Sequence, residues 1–405
     1  MRYLFSWSRR LPPMAAALAL LGACGSERGG AGLSTATFDT LSGGVVRVTN
    51  HAPADSGQWS LVLERTIQPA DDSAGALRAP DDLLLLDDGS LFVADSKPAE
   101  VMRFDAGGRY VGSVGREGAG PGEYRSPYLA VRGDTLVVHD PSLSRAVMFS
   151  LVTSQVFTQR MTTPRYFAKV DVDGGGRAVA PMMAPPDSTA GPRSAFVRFS
   201  LDGSRIDTVF MPERPRGDAR WIVREGKLTK FEMLVPLQPR DVHAVDPTGG
   251  FITGWSGAFT LRATRDGRDT VRLISRPENA GTISADEKAA IVDAKVLEVK
   301  GQAPEAVLRA SLVASAIPDA RPSFEHVQVD RSGRIWARRS TSDTTTLQFD
   351  LFDRDGRWLD VLQVDASQWT RTWWAPVSFS RDGVAVVIED ADGRPAVLVY
   401  RLTRR

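Results

Sequence analysis

The sequence predicts an all-β protein, a six-bladed β-propeller with a helical insertion between blades 4 and 5. Three observations predict it: a hairpin phrase that recurs six times, a second hairpin phrase after each of the first five copies, and a lone strand-like segment at each end of the array. The first phrase is a short apolar run, a tight turn ending in Gly and a second apolar run. It reads "LLLLDDGSLFVAD", "LAVRGDTLVVHD", "KVDVDGGGRAVA", "HAVDPTGGFITG", "VQVDRSGRIWAR" and "VSFSRDGVAVVIED". Glycine accepts the positive φ that primed and bulged hairpin turns need, and the flanking runs have strand composition.

The second phrase reads "VMRFDAGGRYVGSV", "VMFSLVTSQVFTQ", "VRFSLDGSRIDTV", "LRATRDGRDTVRL" and "FDLFDRDGRWLDVL". Two hairpins make a four-stranded antiparallel sheet, and six such sheets arranged radially make a propeller. The last copy ends in "AVLVYRLTRR" after a single strand, so its outer strand must come from elsewhere. "WSLVLERTIQ", Trp59 to Gln68, stands just before the first repeat and is expected to fill that place. Such closure removes the last open sheet edge.

The turn glycines at 89, 133, 176, 250, 333 and 383 stand 44, 43, 74, 83 and 50 residues apart. Propeller repeats run to about 42 residues, so the third and fourth intervals carry insertions, placed near 211–240 and 276–320. The second holds "SADE", Ser284 to Glu287, a capping box that opens a helix ending at Gly301, followed by the helical "PEAVLRASLVASA". The propeller is assigned to residues 56–405, and residues 25–55 to a tether and N-terminal strand region. The Gly, Ser and Thr content up to about residue 40 suits a flexible tether.

The first 24 residues read as a lipoprotein signal peptide. Arg2, Arg9 and Arg10 precede the apolar run from Met14 to Ala23, which is too short to span a bilayer of ~30 Å as a helix and is shaped like a secretory signal. It ends in "LGAC", similar to the bacterial lipoprotein signal in which a cysteine after small residues is acylated and becomes the mature N-terminus. Cys24 is the expected lipidation site; a plain secretory signal with an incidental cysteine is the alternative. More than one acyl chain, at ~0.8 kcal/mol per buried CH₂, anchors firmly where one would not. "SRR", Ser8 to Arg10, partly matches the twin-arginine signal, but "LPP" follows it, so both export routes stay open. The location expected is extracytoplasmic, anchored by lipid to the cell envelope.

Cys24 is the only cysteine, so no intrachain disulfide supports the fold. Fifty basic residues against 49 acidic ones give a net charge of +1. A balance this even draws the chain to no nucleic acid. A monomer is expected, with the membrane reached only through the anchor.

The hairpin phrases, and above all the junction "VGREGAGPGEYRSP", resemble the NHL-type six-bladed propellers found as exported lipoproteins in diderm bacteria. The resemblance covers nearly all of residues 56–405 and implies fold and location; it supplies no agreed chemistry. The Gly115 to Pro127 stretch is read as a corner between blades. A nucleotide loop would need a helix directly after it, and a P-loop "GK" with Ser or Thr, whereas "YLAV" follows.

Loops joining outer to inner strands converge at one mouth of a propeller channel. An arginine falls eight to twelve residues before each turn glycine: Arg78, Arg125, Arg165, Arg240, Arg321 and Arg371. Guanidinium groups there are candidates to grip a carboxylate, phosphate or sugar acid through paired hydrogen bonds. Tyr124 and Trp373 are candidates to stack on a sugar or peptide. The expected function is a ligand- or protein-binding scaffold for an anionic or glycan-like ligand at the channel mouth. The alternative is a hydrolase or lyase acting in the channel, where His243 and His326 stand near inner-strand starts. No catalytic residue is assigned, and no cofactor or metal is expected. The four histidines lack metal-ligand spacing, and "GWSG", Gly254 to Gly257, is one residue short of a nucleophile elbow.

Overall fold

The computed structural model describes residues 35–405 except 72, 154–155, 160–168, 185–192, 201–203, 211–218, 266, 268, 279–280, 344 and 368–375. It contains six antiparallel sheets in a ring. Blade 1 comprises Pro80–Leu85, Leu91–Ser96, Ala99–Phe104 and Tyr110–Ser113. Blade 2 comprises Tyr128–Arg132, Thr135–Asp140, Arg145–Ser150 and Val156–Gln159. Blade 3 comprises Asp171–Val172, Ala178–Ala184, Arg193–Phe199 and Arg205–Phe210. The four core strands of blade 4 are Asp241–Val245, Phe251–Trp255, Thr260–Thr264 and Thr270–Ser275. Blade 5 comprises His326–Val329, Ile335–Arg338, Thr346–Phe352 and Trp358–Asp365. Blade 6 is Val377–Phe379, Gly383–Glu389, Pro395–Arg404 and, from the front of the chain, Trp59–Ile67. Trp59 stands opposite Arg404 and Ile67 opposite Val397, with a bulge between Leu63 and Arg65. The ring therefore closes as expected. Among the described residues no helix is long and apolar enough to cross a membrane.

Each blade buries both faces against its neighbours, which is why the strands are apolar on both sides. Phe92 meets Tyr124 and Phe149 between blades 1 and 2, and Met148 meets Phe199 between blades 2 and 3. Phe196 stacks on Phe251 at 4.7 Å between blades 3 and 4. Phe259 packs against Phe352 between blades 4 and 5, Trp336 against Phe379 between 5 and 6, and Val93 against Ala385 and Val399 between 6 and 1. Each large apolar side chain buried this way contributes about 1.5–3 kcal/mol. One buried ion pair joins this packing: Arg276 and Asp350, at 2.7 Å, are almost wholly enclosed, with Arg276 lying over the Phe259 ring at 4.0 Å.

Residues 36–40, expected to belong to a flexible tether, are strand instead, because Ala36–Thr40 and Val46–Asn50 form a hairpin. The alternating Thr and Val content of "TATFDT" and "VVRVTN" is strand composition. Val46–Asn50 pairs in parallel with Thr270–Ser275, so blade 4 has six strands. The chain then crosses blade 5. Buried Asn50 donates to the carbonyls of Ser275 and Gly356, both at 3.0 Å, and accepts from the Trp358 amide at 2.8 Å. Ala54 and Asp55 donate to Trp358 and Leu359, and the Asp360 carboxylate takes the amides of Gly57 and Trp59. Residues 36–67 thus form a belt over the outer edges of blades 4, 5 and 6.

The turns are built by a recurring unit, D-x-x-G-R. Asp105, Asp173, Asp330 and Asp390 each accept the amides two and four residues on. Arg109, Arg177, Arg334 and Arg394 then pair with the same carboxylates. The glycines between third and outer strands meet a further demand. Gly267 and Gly356 have φ near +89° and +84°, and a Cβ would lie 2.2 Å from Val209 and 2.6 Å from Ile274. In both cases the outer strand of the preceding blade presses on the bare Cα.

The two insertions meet in one cap. The first supplies the hairpin Arg220–Glu225 with Leu228–Leu234. The second supplies helix α1, Ala285–Glu298, and helix α2, Glu305–Ser311. Trp221, Val223, Val296, Leu308 and Leu312 share one core, and Trp221 Nε1 donates to the Val313 carbonyl at 3.2 Å. Ser284 caps α1 by accepting the Glu287 amide at 3.1 Å. The Glu287 carboxylate does not complete the capping box; it pairs with Arg321.

Candidate functional site

A propeller's innermost strands have a sheet neighbour on one side only. Their other edges, with unpaired backbone groups, face the axis, which makes the channel polar before any side chain is considered. The innermost strands of all six blades line one cavity of about 270 Å³, reached by Leu84, Ala130, Asp171, His243, Gln328 and Phe379, one from each blade. At ~30 Å³ per water this is room for about nine waters.

Charged groups gather on its wall. Buried Asp82 of blade 1 accepts the Leu129 amide of blade 2 at 2.8 Å and pairs with Lys169, just before the inner strand of blade 3, at 2.9 Å. One carboxylate thereby fastens three blades. Burial works against the Lys169 ammonium, but Asp82 and Asp171 outweigh it and hold the amine above its ordinary value. Asp171 faces the cavity, and desolvation within the channel raises its carboxyl, with Lys169 opposing and Asp82 reinforcing the shift. The Tyr128 phenol is raised by burial and by Asp81 and Asp82.

Blades 4 and 5 carry the imidazoles. His243 lines the cavity and packs edge-on against Phe196 at 4.7 Å. Burial, helped by Arg338, Arg240 and His243, pushes His326 down to about 4, so it is neutral at pH 7. Arg331, in the first turn of blade 5, also lines the cavity. Burial lowers its guanidinium while Asp87 and Asp88 oppose the shift. Among the described residues no group of three or more His, Cys, Asp or Glu is placed to hold a metal ion.

The described arginines that the sequence grouped differ in burial. Arg78 and Arg125 are exposed, before the inner strands of blades 1 and 2. Their amides are held by Asp95 and Asp140 at 2.7 and 2.6 Å. The Arg240 amide is held likewise by Ser256 at 2.8 Å, which gives the "GWSG" serine a structural task. What repeats in space is a captured backbone amide. The Arg240 side chain is half-buried and close enough to His326 to depress it. Arg321 is buried, bonded to Glu287 of α1 and to the Thr341 carbonyl. Tyr124 is fully buried between blades 1 and 2. Its hydroxyl accepts from the Val101 amide at 2.9 Å and donates to the Val114 carbonyl at 2.5 Å, leaving no face for stacking on a ligand. Arg165, Arg371, Trp373 and Cys24 lie outside the described residues.

The junction loop is a corner, as its sequence implied. Its amides are consumed internally: Gly118 donates to Tyr124, Glu123 to Gly120, and Gly120 to the Glu123 carboxylate. Arg145 ties down the carbonyls of Ala119, Gly120 and Glu123. No amide nest remains for a phosphate.

Sequence reasoning missed Lys169, Asp171, Gln328 and Arg331 as channel groups. A signal existed: "KVDV", "HAV" and "HVQV" alternate polar with apolar residues, as a strand does when one side meets the axis and the other packs on a blade.

No family model matches the chain, and no curated protein matches it. Solved structures do. A Bacteroides fragilis protein named as an assumed exported protein is similar over 89% of this chain and 99% of its own, with 11% identity and a TM-score of 0.49. The PQQ-bound aldose sugar dehydrogenase of Streptomyces coelicolor is similar over 86% of this chain and 100% of its own, with 14% identity and a TM-score of 0.40. Neither likeness bears on ligand or chemistry.

Proposed function

We propose that this chain is a lipid-anchored, extracytoplasmic binding module that takes a small ligand in its central channel. The observation that carries the reading is the convergence of six inner strands on one open, charged cavity of about 270 Å³. Lys169 and Arg331, which line it, suit an anionic or glycan-like ligand, through charge-assisted hydrogen bonds. The signal run ending at Cys24 supports export and acylation, and the likeness to NHL-type lipoproteins agrees with it. Fold alone is silent on function, so the reading rests on the cavity.

The test fills that cavity. Gln328 is exposed and lines the channel, so Gln328→Trp should abolish binding of any ligand found among sugar acids, amino acids and short peptides, with thermal stability nearly unchanged. Undiminished binding would place the site elsewhere. Cys24→Ser should abolish incorporation of radiolabelled palmitate and release the chain from membranes; retention of the label would refute the anchor.

A further inference from the structure

Among the described residues, the channel wall holds a carboxyl and a guanidinium that lack a hydrogen-bonded or ion-paired protein partner. Asp171 lines the cavity from blade 3 and is exposed to it. Among the described residues nothing donates a hydrogen bond to its carboxylate or forms an ion pair with it. Lys169, the cation whose charge acts on Asp171, is committed to Asp82 at 2.9 Å. Arg331 lines the same cavity from blade 5, and its Nη2 is buried without a hydrogen-bond partner. Asp87 and Asp88 lie near it but are engaged elsewhere: Asp87 accepts the Arg381 amide at 2.7 Å, and Asp88 accepts the amide and hydroxyl of Ser90. The other polar lining groups are His243, which packs edge-on against Phe196, the Gln328 amide, and the Ser378 hydroxyl, which accepts the Leu85 amide.

We propose that the channel binds a small zwitterion, its ammonium on Asp171 and its carboxylate on Arg331. The inference rests on the channel being the binding site and names the ligand class for it. A simple anion would satisfy Arg331 but leave Asp171, on the same channel wall, without a partner; a simple amine would do the reverse. One molecule carrying both charges meets both groups at once, so it is favoured over either half. A carboxylate on a guanidinium can form two parallel hydrogen bonds, and the cavity holds a molecule the size of a free amino acid.

The experiment is titration calorimetry on the full chain with ω-amino acids of two to six carbons, against alkanoates and alkylamines of the same lengths. One chain length should bind at least ten-fold more tightly than its matched acid and amine, and Asp171→Asn and Arg331→Met should each lose at least ten-fold. Zwitterions binding no better than the matched acids, or unaltered affinity in both variants, would overturn the proposal. Because Arg331→Met removes a wall residue, the guanidinium NMR signal of Arg331 in the unaltered protein gives a second reading, expected to move with the zwitterion and stay still with the alkylamine. If sugar acids bind and Gln328→Trp stops them while zwitterions gain nothing, this inference fails and the channel site stands. If no probe binds at all, both fail.

Discussion

Asn50 is the point at which the belt is fastened, and its removal has a calculable effect. The side chain is buried and makes three neutral hydrogen bonds, two to carbonyls of blades 4 and 5 and one from the Trp358 amide. At about 1 kcal/mol net for each, Asn50→Ala should cost about 3 kcal/mol. Leaving the buried Trp358 amide and Gly356 carbonyl without partners pushes the figure up, while local relaxation pulls it down. With unfolding entropy near 2.1 cal/mol/K per residue over the roughly 330 described residues, about 3 kcal/mol lowers Tm by about 4 °C. Asn50→Asp should cost at least as much at neutral pH, because a carboxylate would face two carbonyl oxygens. Protonation raises a donor there, so the loss should shrink as the pH falls through the pKa of that buried acid. The assay is urea unfolding followed by tryptophan fluorescence, with the slope compared to confirm the same transition, and amide exchange across residues 36–58. A loss below about 1 kcal/mol, or unchanged exchange in that segment, would mean that the belt is not fastened at Asn50.

Three further outcomes are expected. Gly267→Ala should cost roughly 2–5 kcal/mol, about 1–2 for a left-handed residue and 1–3 for overpacking, since its Cβ would meet Val209; Gly393→Ala, with φ +75° and open space, should cost only the first part, and equal losses in thermal melts would refute the close-approach argument. Asp350→Ala should cost about 3–5 kcal/mol by stranding Arg276 inside the fold; a melting curve like that of the parent protein would show the pair to be dispensable. His326, at about 4 when folded and about 6.5 when unfolded, favours the native state as a neutral ring, so the stability tied to it is full above about pH 6.5 and is lost as the pH falls toward 4. His326→Gln should flatten the fall in Tm over that window, and an imidazole NMR signal titrating near 6.5 would contradict the reading.

The sequence by itself determined the repeat, the number of blades and the strand that closes the ring. Those features are local: a D-x-x-G turn and a two-residue period are written in consecutive residues, and an incomplete last copy requires a partner from the front. The tertiary structure alone decided that two insertions separated by blade 4 share a core through Trp221 and Leu308, and that "TATFDT" is strand because blade 4 offers an outer edge. It also decided that Tyr124 is spent on a blade interface. The arginine recurrence was visible in the chain, but side-chain direction was not, and burial put Arg321 under the cap while leaving Arg78 in solvent. The channel groups were the hardest to read for the same reason. Asp171, His243 and Arg331 come from separate blades, and only closing the ring brings onto one axis residues that no sequence spacing relates.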